Sequence, residues 1–431
     1  MEHTTSPIDT ATPAEAHAES HQATRPVNGA APRELYLCID GGGTKTSVSI
    51  AGKSLENGGE VKILGTGQHR SSNHTGVGLE QAMVSIGEAT LDALRRLPDE
   101  AELACAKSWT YEGYGAAHGR AIQPAPFARI WAGLSGVDGP EDLRVLRPAL
   151  ASLFGLPPSP HGDEDGLVLR VTNDCDLLSS AIERVYKTSQ SSPDDVQCQG
   201  GIVLIAGTGS IATAFGPKTL PDGNSGAGQS YVLEAVGRMG GYGYLLGDEG
   251  SAYYVGHQTI KDLLGFVDRH QEPRSEKDGQ VAGTSRKPMG AHDTAIERSS
   301  LLGPVRAHFQ IDRLANLMAA VYAIAAEHER KLKIAELSRL VMHAAFGAQP
   351  DAFARTILER AGERLSELVR DLCALHELKP PQMVLCLGGG MWSYPQFKLL
   401  VLDIMRTQWD AHWGWVETID QPDQLAAISL V

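Results

Sequence analysis

Two short apolar segments that each break on a glycine-rich turn constrain the fold of this 431-residue chain most strongly. Leu35-Tyr36-Leu37-Cys38-Ile39 stops at Asp40-Gly41-Gly42-Gly43, and the alternating segment Thr46–Ile50 follows. The same pattern returns at Gly201–Phe215, around Gly207-Thr208-Gly209-Ser210. Both halves are thus predicted to open with strand, glycine turn and strand. Because the turns share a Gly-Thr pair 164 residues apart, the halves are predicted to be two related domains.

The remaining pattern alternates between strands and helices, which predicts an α/β fold with mixed sheets. Further predicted strands are Ala128–Leu134, Leu167–Thr172 and Gln382–Leu387. Predicted helices are Gly78–Leu97, Cys175–Tyr186, Ala252–Leu264, Asp312–Leu332 and Asp351–Leu378, and predicted loops are Lys107–Phe127 and Gly237–Gly250.

The polar stretches predict the domain organisation. Residues 1–33 have no apolar period and are predicted to be a disordered tail. An N-terminal domain is predicted over residues 34–199, ending in a polar linker at Lys187–Gln199. A C-terminal domain follows over residues 200–431, with a mobile polar insertion at 270–300.

Composition excludes several classes of protein. The formal net charge of −14 disfavours nucleic acid phosphates as partners and favours small molecules or proteins. No apolar stretch reaches the roughly 18 residues that a membrane helix needs, and the N-terminus has no hydrophobic signal core. The six cysteines include no C-x-x-C pair, which is typical of free thiols in a reducing compartment. The sequence therefore predicts a cytoplasmic protein that binds neither nucleic acid nor membrane.

The first glycine turn, Asp40-Gly41-Gly42-Gly43-Thr44-Lys45, has the chemistry of a phosphate site. Its glycines let a polyanion approach backbone N–H groups, and the Thr44 hydroxyl and Lys45 ammonium are further donors. Asp40, at the strand end, can hold a hydrated Mg²⁺. The G-x-x-x-x-G-K-[ST] loop of P-loop NTPases is absent. An ordinary hairpin uses the same residue types, so this turn alone leaves both interpretations open.

The second turn, Gly207-Thr208-Gly209-Ser210-Ile211-Ala212, imitates the G-x-G-x-x-A of dinucleotide-binding proteins. That motif requires a helix directly after the turn. Here Ile211–Phe215 and Gly216-Pro217 predict a second strand and a further turn instead. A phosphate-binding hairpin that matches the first one therefore fits better.

Three further segments carry candidate site residues. In Thr172-Asn173-Asp174-Cys175-Asp176 a carboxylate follows a strand, where it can abstract a hydroxyl proton or simply cap a helix. Gly240–Ser251 has five glycines around Asp248 and Glu249, which suits a wall that closes over a polyol. At Gly388-Gly389-Gly390, a strand end has room for an adenine ring against the backbone.

In this order, the segments resemble the N-acetylglucosamine kinase family of actin-like sugar kinases. The resemblance spans about Leu35 to Lys398, includes Ser72-Asn73-His74 and Leu134-Ser135-Gly136, and is most specific at Gly247–Tyr253. It implies an α/β protein of two ribonuclease-H-like (actin-like ATPase) domains around a hinged cleft. ATP and Mg²⁺ would be the cofactors, an amino sugar would lie between the lobes, and the resemblance leaves room for a homodimer.

The resemblance also implies ATP-dependent phosphorylation of N-acetyl-D-glucosamine or a related hexosamine at the 6-hydroxyl, with Asp174 as the base. Asp40 would hold the metal. The sugar would contact Asn73, Asp174, Ser210, Ile211, Gly241, Tyr242, Gly243 and Asp248. The nucleotide would contact Gly42, Gly43, Thr44, Lys45, Thr208, Gly209, Ala335, Gly388, Gly389 and Gly390.

Three features depart from the family pattern. Ile211 stands where the family often has Asn, and Tyr242 where it often has Trp, so both bear on the identity of the sugar. The chain ends at Val431, where the family usually continues with a Gly/Ala-rich helix, which bears on activity. A catalytically weak sugar and ATP sensor on the same fold is therefore the alternative. A dehydratase activator of the same superfamily needs cysteines clustered for an iron–sulfur centre, and these six are not clustered.

Overall fold

The computed structural model describes residues 33–53, 59–111, 123–156, 168–190, 196–219, 231–270 and 289–431. Within these residues, ten strands form two five-stranded sheets with orders β3-β2-β1-β4-β5 and β8-β7-β6-β9-β10. The strands are β1 Leu35–Gly41, β2 Lys45–Lys53, β3 Val61–Arg70, β4 Phe127–Leu134, β5 Leu169–Thr172, β6 Gly200–Ala206, β7 Ser210–Thr219, β8 Tyr231–Gly240, β9 Met383–Gly388 and β10 Trp415–Ile419.

Helices cover both sheets. They are α1 His74–Val77, α2 Leu79–Arg95, α3 Ala104–Lys107, α4 Pro140–Phe154, α5 Ser179–Gln190, α6 Ala252–His270, α7 Ala291–Glu297, α8 Leu302–Phe309, α9 Leu317–Tyr322, α10 Glu327–Phe346, α11 Ala352–Leu375, α12 Pro395–Trp409 and α13 Pro422–Ser429. We call the sheet of β1–β5 with α1–α4 the first lobe, and the sheet of β6–β10 with α6–α12 the second lobe. Each lobe has its own large apolar core.

The predicted internal repeat is confirmed by the strand pairing. In both sheets a three-stranded antiparallel meander (β1-β2-β3 or β6-β7-β8) is extended by two parallel strands. Each glycine turn therefore joins two antiparallel neighbours in the middle of its sheet. The second turn leads into β7 and not into a helix, so the dinucleotide-binding interpretation is excluded, as the sequence predicts.

The third strand of each meander, β3 and β8, was not predicted, and glycines explain why. A Cβ on Gly67 of β3 would overlap the Ala89 carbonyl of α2, and one on Gly237 of β8 would overlap the His376 ring. Because a neighbouring element approaches the strand closely, only glycine fits at these positions. The alternation of side chains that marks a strand in the sequence is therefore interrupted there. The predicted loop Gly237–Gly250 is wrong for its first four residues, which belong to β8.

Other predicted boundaries are also wrong. Asp312–Leu332 is not one helix, because the chain breaks between α9 and α10, where the Arg330 side chain donates to the Ile324 carbonyl over 3.2 Å. In the predicted insertion at 270–300, residues 271–288 lie outside the described residues, but α7 is helical and buries Ile296. The first four residues of the predicted linker Lys187–Gln199 belong to α5. The predicted tail falls outside the described residues except for Arg33.

Two helices pack on the sheet of the other half of the sequence. α5 follows β5, yet its Ala181 and Ile182 are buried with Val203 and Val384 of the second sheet. α13 ends the chain, yet its Ala426 and Ala427 are buried against β1, β2 and β4 in a cluster centred on Trp131. A buried hydrogen bond of 2.7 Å from the Ser49 hydroxyl of β2 to Asp423 fixes α13 there. The two sheets are therefore tied together by exchanged helices.

Two further sequence-based expectations concern cysteines and membranes. All six cysteines lie within the described residues and are free thiols, four of them buried. Across the described ranges, no helix is both long enough and apolar enough to cross a membrane.

Candidate active site

A cavity of about 1040 Å³ lies between the two sheets. Part of its wall is formed by residues that follow the C-terminal ends of β1, β4, β5 and β6, where the sheets leave an open crevice, and the rest comes from β7, β8, α10 and the loops beside them. The first lobe and the turn between β5 and α5 contribute Gly43, Asn73, Thr75, Ser135, Gly136, Val137, Asp138, Asn173, Asp174, Cys175 and Asp176. The second lobe contributes Ile205, Gly207, Thr208, Gly209, Ser210, Ile211, Thr213, Ala235, Val236, Gly237, Arg238, Gly241, Asp248 and Lys331.

Two asparagines organise the wall of the first lobe. Asn73 caps α1, and its Oδ1 accepts from the backbone N–H and hydroxyl of Thr75, which leaves its amide NH₂ for the cavity and for Ser135 at 3.5 Å. Asn173 accepts from the Cys175 N–H and donates to the Val137 carbonyl over 2.9 Å. Each amide oxygen is thus held by its own turn. Since both oxygens are engaged, this wall offers Asn73 as a hydrogen-bond donor to a ligand.

Asp174 and Asp176 lie on the same wall, in the turn after β5. Burial raises the pKa of Asp174, opposed by hydrogen bonds from the Cys175 side chain and backbone. Burial also raises the pKa of Asp176 to about 6, although Arg170 opposes the rise. A carboxylate with a raised pKa is a better proton acceptor than one in water. Because Asp174 faces a cavity large enough for a sugar, it can accept a proton from a bound hydroxyl.

Asp40 ends β1 beside the first glycine turn. Burial raises its pKa to about 7, and Asp423 and Asp174 add to the rise while Lys45 opposes it. A desolvated carboxyl among other acids is stabilised in its charged form by a cation. Mg²⁺ keeps several waters and needs only one or two carboxylates besides phosphate oxygens, so this donor fits it. Within the described ranges, no three His, Cys, Asp or Glu side chains form a metal-binding group of their own.

The second glycine turn packs tightly on Asp248. A Cβ on Gly209 would lie 2.8 Å from both carboxylate oxygens, and the Ser210 N–H donates to one of them over 3.2 Å. Asp248 has a positive φ of 62°, which Asp tolerates better than most residues. Burial raises its pKa, and the Ser210 N–H and Lys331 oppose the rise. The turn and this carboxylate therefore form one rigid unit.

A second cavity, of about 410 Å³, adjoins the first. It lies between α10 and the turn after β9, and it is lined by Gly207, Thr208, Ala252, Leu332, Ala335, Glu336, Ser338, Arg339, Gly390, Met391, Ser393 and Tyr394. Gly207 and Thr208 line both cavities. The carbonyls of these two residues accept from the N–H groups of Ala252 and Tyr253 at the start of α6, which places the positive end of that helix beside the junction.

The structure brings many of the predicted site residues together. The large cavity collects Gly43, Asn73, Asp174, Thr208, Gly209, Ser210, Ile211, Gly241 and Asp248, and the small one collects Thr208, Ala335 and Gly390. The remaining predicted residues, which are Asp40, Gly42, Thr44, Lys45, Tyr242, Gly243, Gly388 and Gly389, line neither cavity. Tyr242 is 56 % exposed. A Cβ on Gly389, at φ 100°, would lie 2.6 Å from the Ala206 carbonyl, so this glycine lets the two strand ends meet.

Several residues of the cavities were missed by the sequence analysis. Thr213 and Arg238 face the large cavity from paired positions of β7 and β8. Lys331 reaches it from α10, and Glu336 and Arg339 line the small cavity from the same helix. No motif marks these positions: Thr213 is one residue of the predicted strand Ile211–Phe215, Arg238 lies in the unpredicted strand β8, and most of α10 lies beyond the predicted helix Asp312–Leu332. The helical period of α10, once correctly placed, would have grouped Lys331, Ala335 and Arg339.

Comparison with known proteins finds relatives in both sequence and structure, although no protein-family profile matches the chain. An N-acetyl-D-glucosamine kinase from Dictyostelium discoideum is 27% identical over 241 residues, which are 55% of this chain and 56% of that protein, about half its length. An N-acetylmuramic acid/N-acetylglucosamine kinase from Clostridium acetobutylicum is 24% identical over 371 residues, 85% of this chain and 89% of that protein.

Two solved structures share the fold. A candidate N-acetylglucosamine kinase from Chromobacterium violaceum has a TM-score of 0.50 at 19% identity, and the match covers 93% of this chain and 99% of that one. Another, from Porphyromonas gingivalis, has a TM-score of 0.51 at 16% identity over 92% and 98% of the two chains. With its paired sheets and central cleft, the protein is an α/β protein of the actin-like ATPase fold. In sequence, it is similar to these two kinases at 24–27% identity.

Proposed function

We propose that the protein transfers the γ-phosphoryl group of ATP to the 6-hydroxyl of N-acetyl-D-glucosamine or a related hexosamine, with Asp174 as the base. The observation that carries this proposal is the junction of the two cavities at Gly207 and Thr208. A nucleoside in the small cavity can extend its phosphates along the second glycine turn into the large one. There the phosphates would meet a sugar that lies against Asp174.

The proposed step is an in-line displacement at phosphorus. Asp174 accepts the proton of the sugar hydroxyl, the hydroxyl oxygen bonds to the γ-phosphorus, and the bond from that phosphorus to the bridging β–γ oxygen breaks. ADP leaves with the electron pair of the broken bond. Such a reaction depends mainly on positioning and charge stabilisation, which a cleft between two lobes supplies.

Asp40 would hold Mg²⁺ in this arrangement, which is consistent with its burial and its acidic surroundings. When bound, the ion would neutralise charge on the phosphate oxygens. The Gly42 N–H donates to the Lys45 carbonyl over 2.9 Å, so the first turn is closed and presents Gly43 at its tip to the cavity. The first turn would thus contact phosphate through backbone at Gly43.

The second-lobe wall supports a hexosamine with a weak requirement for the N-acetyl group. Asp248 offers carboxylate oxygens to sugar hydroxyls, and Asn73 offers an amide donor from the opposite wall. Ile211, whose Cδ1 packs against the backbone of Gly241, returns no hydrogen bond to an amide. An unpaired buried polar group costs roughly 1–3 kcal/mol. We therefore expect N-acetylglucosamine to be preferred over glucosamine and glucose only modestly.

The first prediction concerns Asp174→Asn. We expect turnover to fall by roughly 10²–10⁴, the usual contribution of a general base, while sugar and nucleotide affinities change only a few fold. ADP release in a coupled assay with N-acetylglucosamine, glucosamine, N-acetylmannosamine and glucose measures turnover and preference. Phosphorus and carbon NMR of the product identifies the phosphorylated hydroxyl.

Asp176→Asn is the comparison variant, because Asp176 carries a carboxyl group two residues further along the same turn and lines the same cavity. If Asp174→Asn keeps near wild-type turnover, Asp174 only caps its turn and Asp176 becomes the candidate base. If the wild-type protein binds sugar and ATP without turnover, it is a sensor and the proposed kinase activity is wrong.

A further inference from the structure

One face of α10 runs along both cavities. Lys331, Ala335 and Arg339 are spaced by four residues and therefore share a face of this helix. Ala335 and Arg339 line the small cavity, whereas Lys331, one turn nearer the start of the helix, lines the large one. The helix therefore points from the proposed nucleoside site towards the place where phosphoryl transfer would occur.

The ammonium group of Lys331 is available to a ligand. The side chain is half-buried, and in the part of the chain that the structure describes it makes no hydrogen bond or ion pair. Its Nζ lies over the Tyr244 ring, 5.2 Å from the ring centre, which is a cation–π contact. The Tyr244 hydroxyl in turn hydrogen-bonds Glu327, at the first turn of α10. Lys331 is thus held in place without its three N–H donors being used.

The acidic lining of the large cavity calls for a positively charged side chain where a polyphosphate would bind. Four acids line it, which are Asp138, Asp174, Asp176 and Asp248, and they repel a polyphosphate. Of the described residues, Lys331 and Arg238 are the only Lys or Arg that line this cavity. Lys45 of the first glycine turn does not line it. Arg238 projects from the edge strand β8, which has no residue in the small cavity. Lys331 is the cation whose element reaches both cavities.

We propose that Lys331 contacts the γ-phosphoryl group of the nucleotide and stabilises its charge during transfer to the sugar. This inference rests on the proposed nucleotide and sugar sites. It assigns the role of the phosphate-binding cation to a residue of the second lobe, whereas the sequence had assigned it to Lys45 of the first lobe. Lys331 is then a catalytic residue, because it touches the group that is transferred.

The test compares the binding of a nucleotide series by calorimetry in the presence of Mg²⁺. AMP, ADP and the non-hydrolysable β,γ-imido analogue of ATP are titrated into the wild type, Lys331→Gln, Lys331→Met and Lys331→Arg. We expect the Gln and Met variants to lose roughly ten- to hundredfold in affinity for the triphosphate analogue, as for one charge-assisted hydrogen bond. Affinity for AMP is expected to stay within about twofold, and Lys331→Arg to recover part of the loss.

Turnover provides the second readout. Removing one preorganised donor from a developing charge lowers kcat by roughly 10²–10³, and we expect this for Lys331→Gln with the KM for sugar changed less than about threefold. The control is Lys261→Gln, which removes an equal charge from the exposed side of α6 and is expected to change neither readout. Thermal unfolding of each variant confirms that it folds.

Two results would overturn the inference. Equal losses for AMP and the triphosphate analogue, or none, show that Lys331 does not contact the γ-phosphoryl group. A change confined to the KM for sugar shows that Lys331 acts through Asp248 instead. The nucleotide series decides this even if no sugar is phosphorylated, so failure of the proposed kinase activity and failure of the Lys331 assignment are separate outcomes.

Discussion

At the scale of single residues, the site is built from carboxyl groups that burial makes difficult to ionise. The pKa of Asp40 is raised to about 7 and that of Asp176 to about 6, and the pKa values of Asp174 and Asp248 are raised as well, in each case chiefly by burial. Such groups oppose folding when they are charged. Asp174, Asp176 and Asp248 line the large cavity and Asp40 lies beside the first glycine turn, which fits a site that uses carboxylates to hold a cation and to accept a proton.

Asp40→Asn is therefore predicted to stabilise the protein without ligands above neutral pH. The folded protein holds the Asp40 proton up to about pH 7, whereas the unfolded chain releases it near pH 4. Between these values the folded state binds more protons, so the free energy of unfolding falls as pH rises. We expect the variant to be more stable than wild type at pH 8, by of the order of 2–4 kcal/mol, and to differ little at pH 4.

Thermal unfolding at pH 4, 5, 6, 7 and 8 without Mg²⁺ or nucleotide measures this difference. Asp312→Asn, at an exposed position before α9, is the control and should leave the pH profile unchanged. If Asp40→Asn lowers the unfolding temperature at pH 8, the carboxylate is compensated in the free protein and the argument from desolvation is wrong.

The sequence could predict those site residues that stand in glycine turns or directly after apolar strands. Asp174, Thr208 and Asp248 were named because a strand end or a glycine cluster marks them, and all three line the cavity. Arg238 and Lys331 could not be named in this way, because a lone cation in a strand or helix has no local signature. Only the packing of two distant segments brings them to the same cavity.

At the scale of elements, two long helices with a clear apolar period were predicted well, whereas the glycine-containing strands β3 and β8, and also α4, α12 and β10, were not predicted. Gly78–Leu97 and Asp351–Leu378 correspond to α2 and α11 within three residues at each end. Strands β3 and β8 were not predicted because neighbouring elements approach them so closely that they contain glycines, which interrupt the strand pattern. The break between α9 and α10 was not predicted, because Ala323–Ala326 contains no helix-breaking residue and the local sequence gives no signal for it.

Helix α10 is predicted to govern nucleotide affinity through Ala335. The side chain of Ala335 is buried at the wall of the small cavity, so Ala335→Leu adds volume where the nucleoside would lie. We expect the KM for ATP to rise about tenfold or more, as for a loss of roughly 1.4 kcal/mol or more of binding energy, with the affinity for sugar within about twofold. Steady-state kinetics in ATP and calorimetric titration of sugar measure the two effects.

The control for this variant is Ala319→Leu, which adds the same atoms at an exposed position of α9. An unchanged KM for ATP in Ala335→Leu, with the protein folded, would mean that the nucleoside does not occupy the cavity between α10 and the turn after β9.

At the scale of the whole molecule, neither half of the sequence contains a complete site. Asn73 and Asp174 come from the first half, and Thr208, Asp248 and Lys331 come from the second. The repeat could be predicted from the two glycine turns, because each turn lies in its own half. The exchange of α5 and α13 between the sheets could not, since neither helix differs in pattern from one that packs on its own sheet.

The exchange predicts that the halves do not fold independently. If the chain is divided at the predicted boundary into residues 1–199 and 200–431, the first half keeps α5 but loses α13, and the second keeps α13 but loses α5. Each sheet then exposes the apolar face that its missing helix covers, around Trp131 in one and Val203 in the other. We expect neither half alone to unfold cooperatively, the intact chain to unfold in one transition, and the mixed halves to regain that transition. Calorimetry and near-ultraviolet circular dichroism of the three samples check this, and a cooperative transition in an isolated half would show that the exchanged helices are dispensable to the lobes.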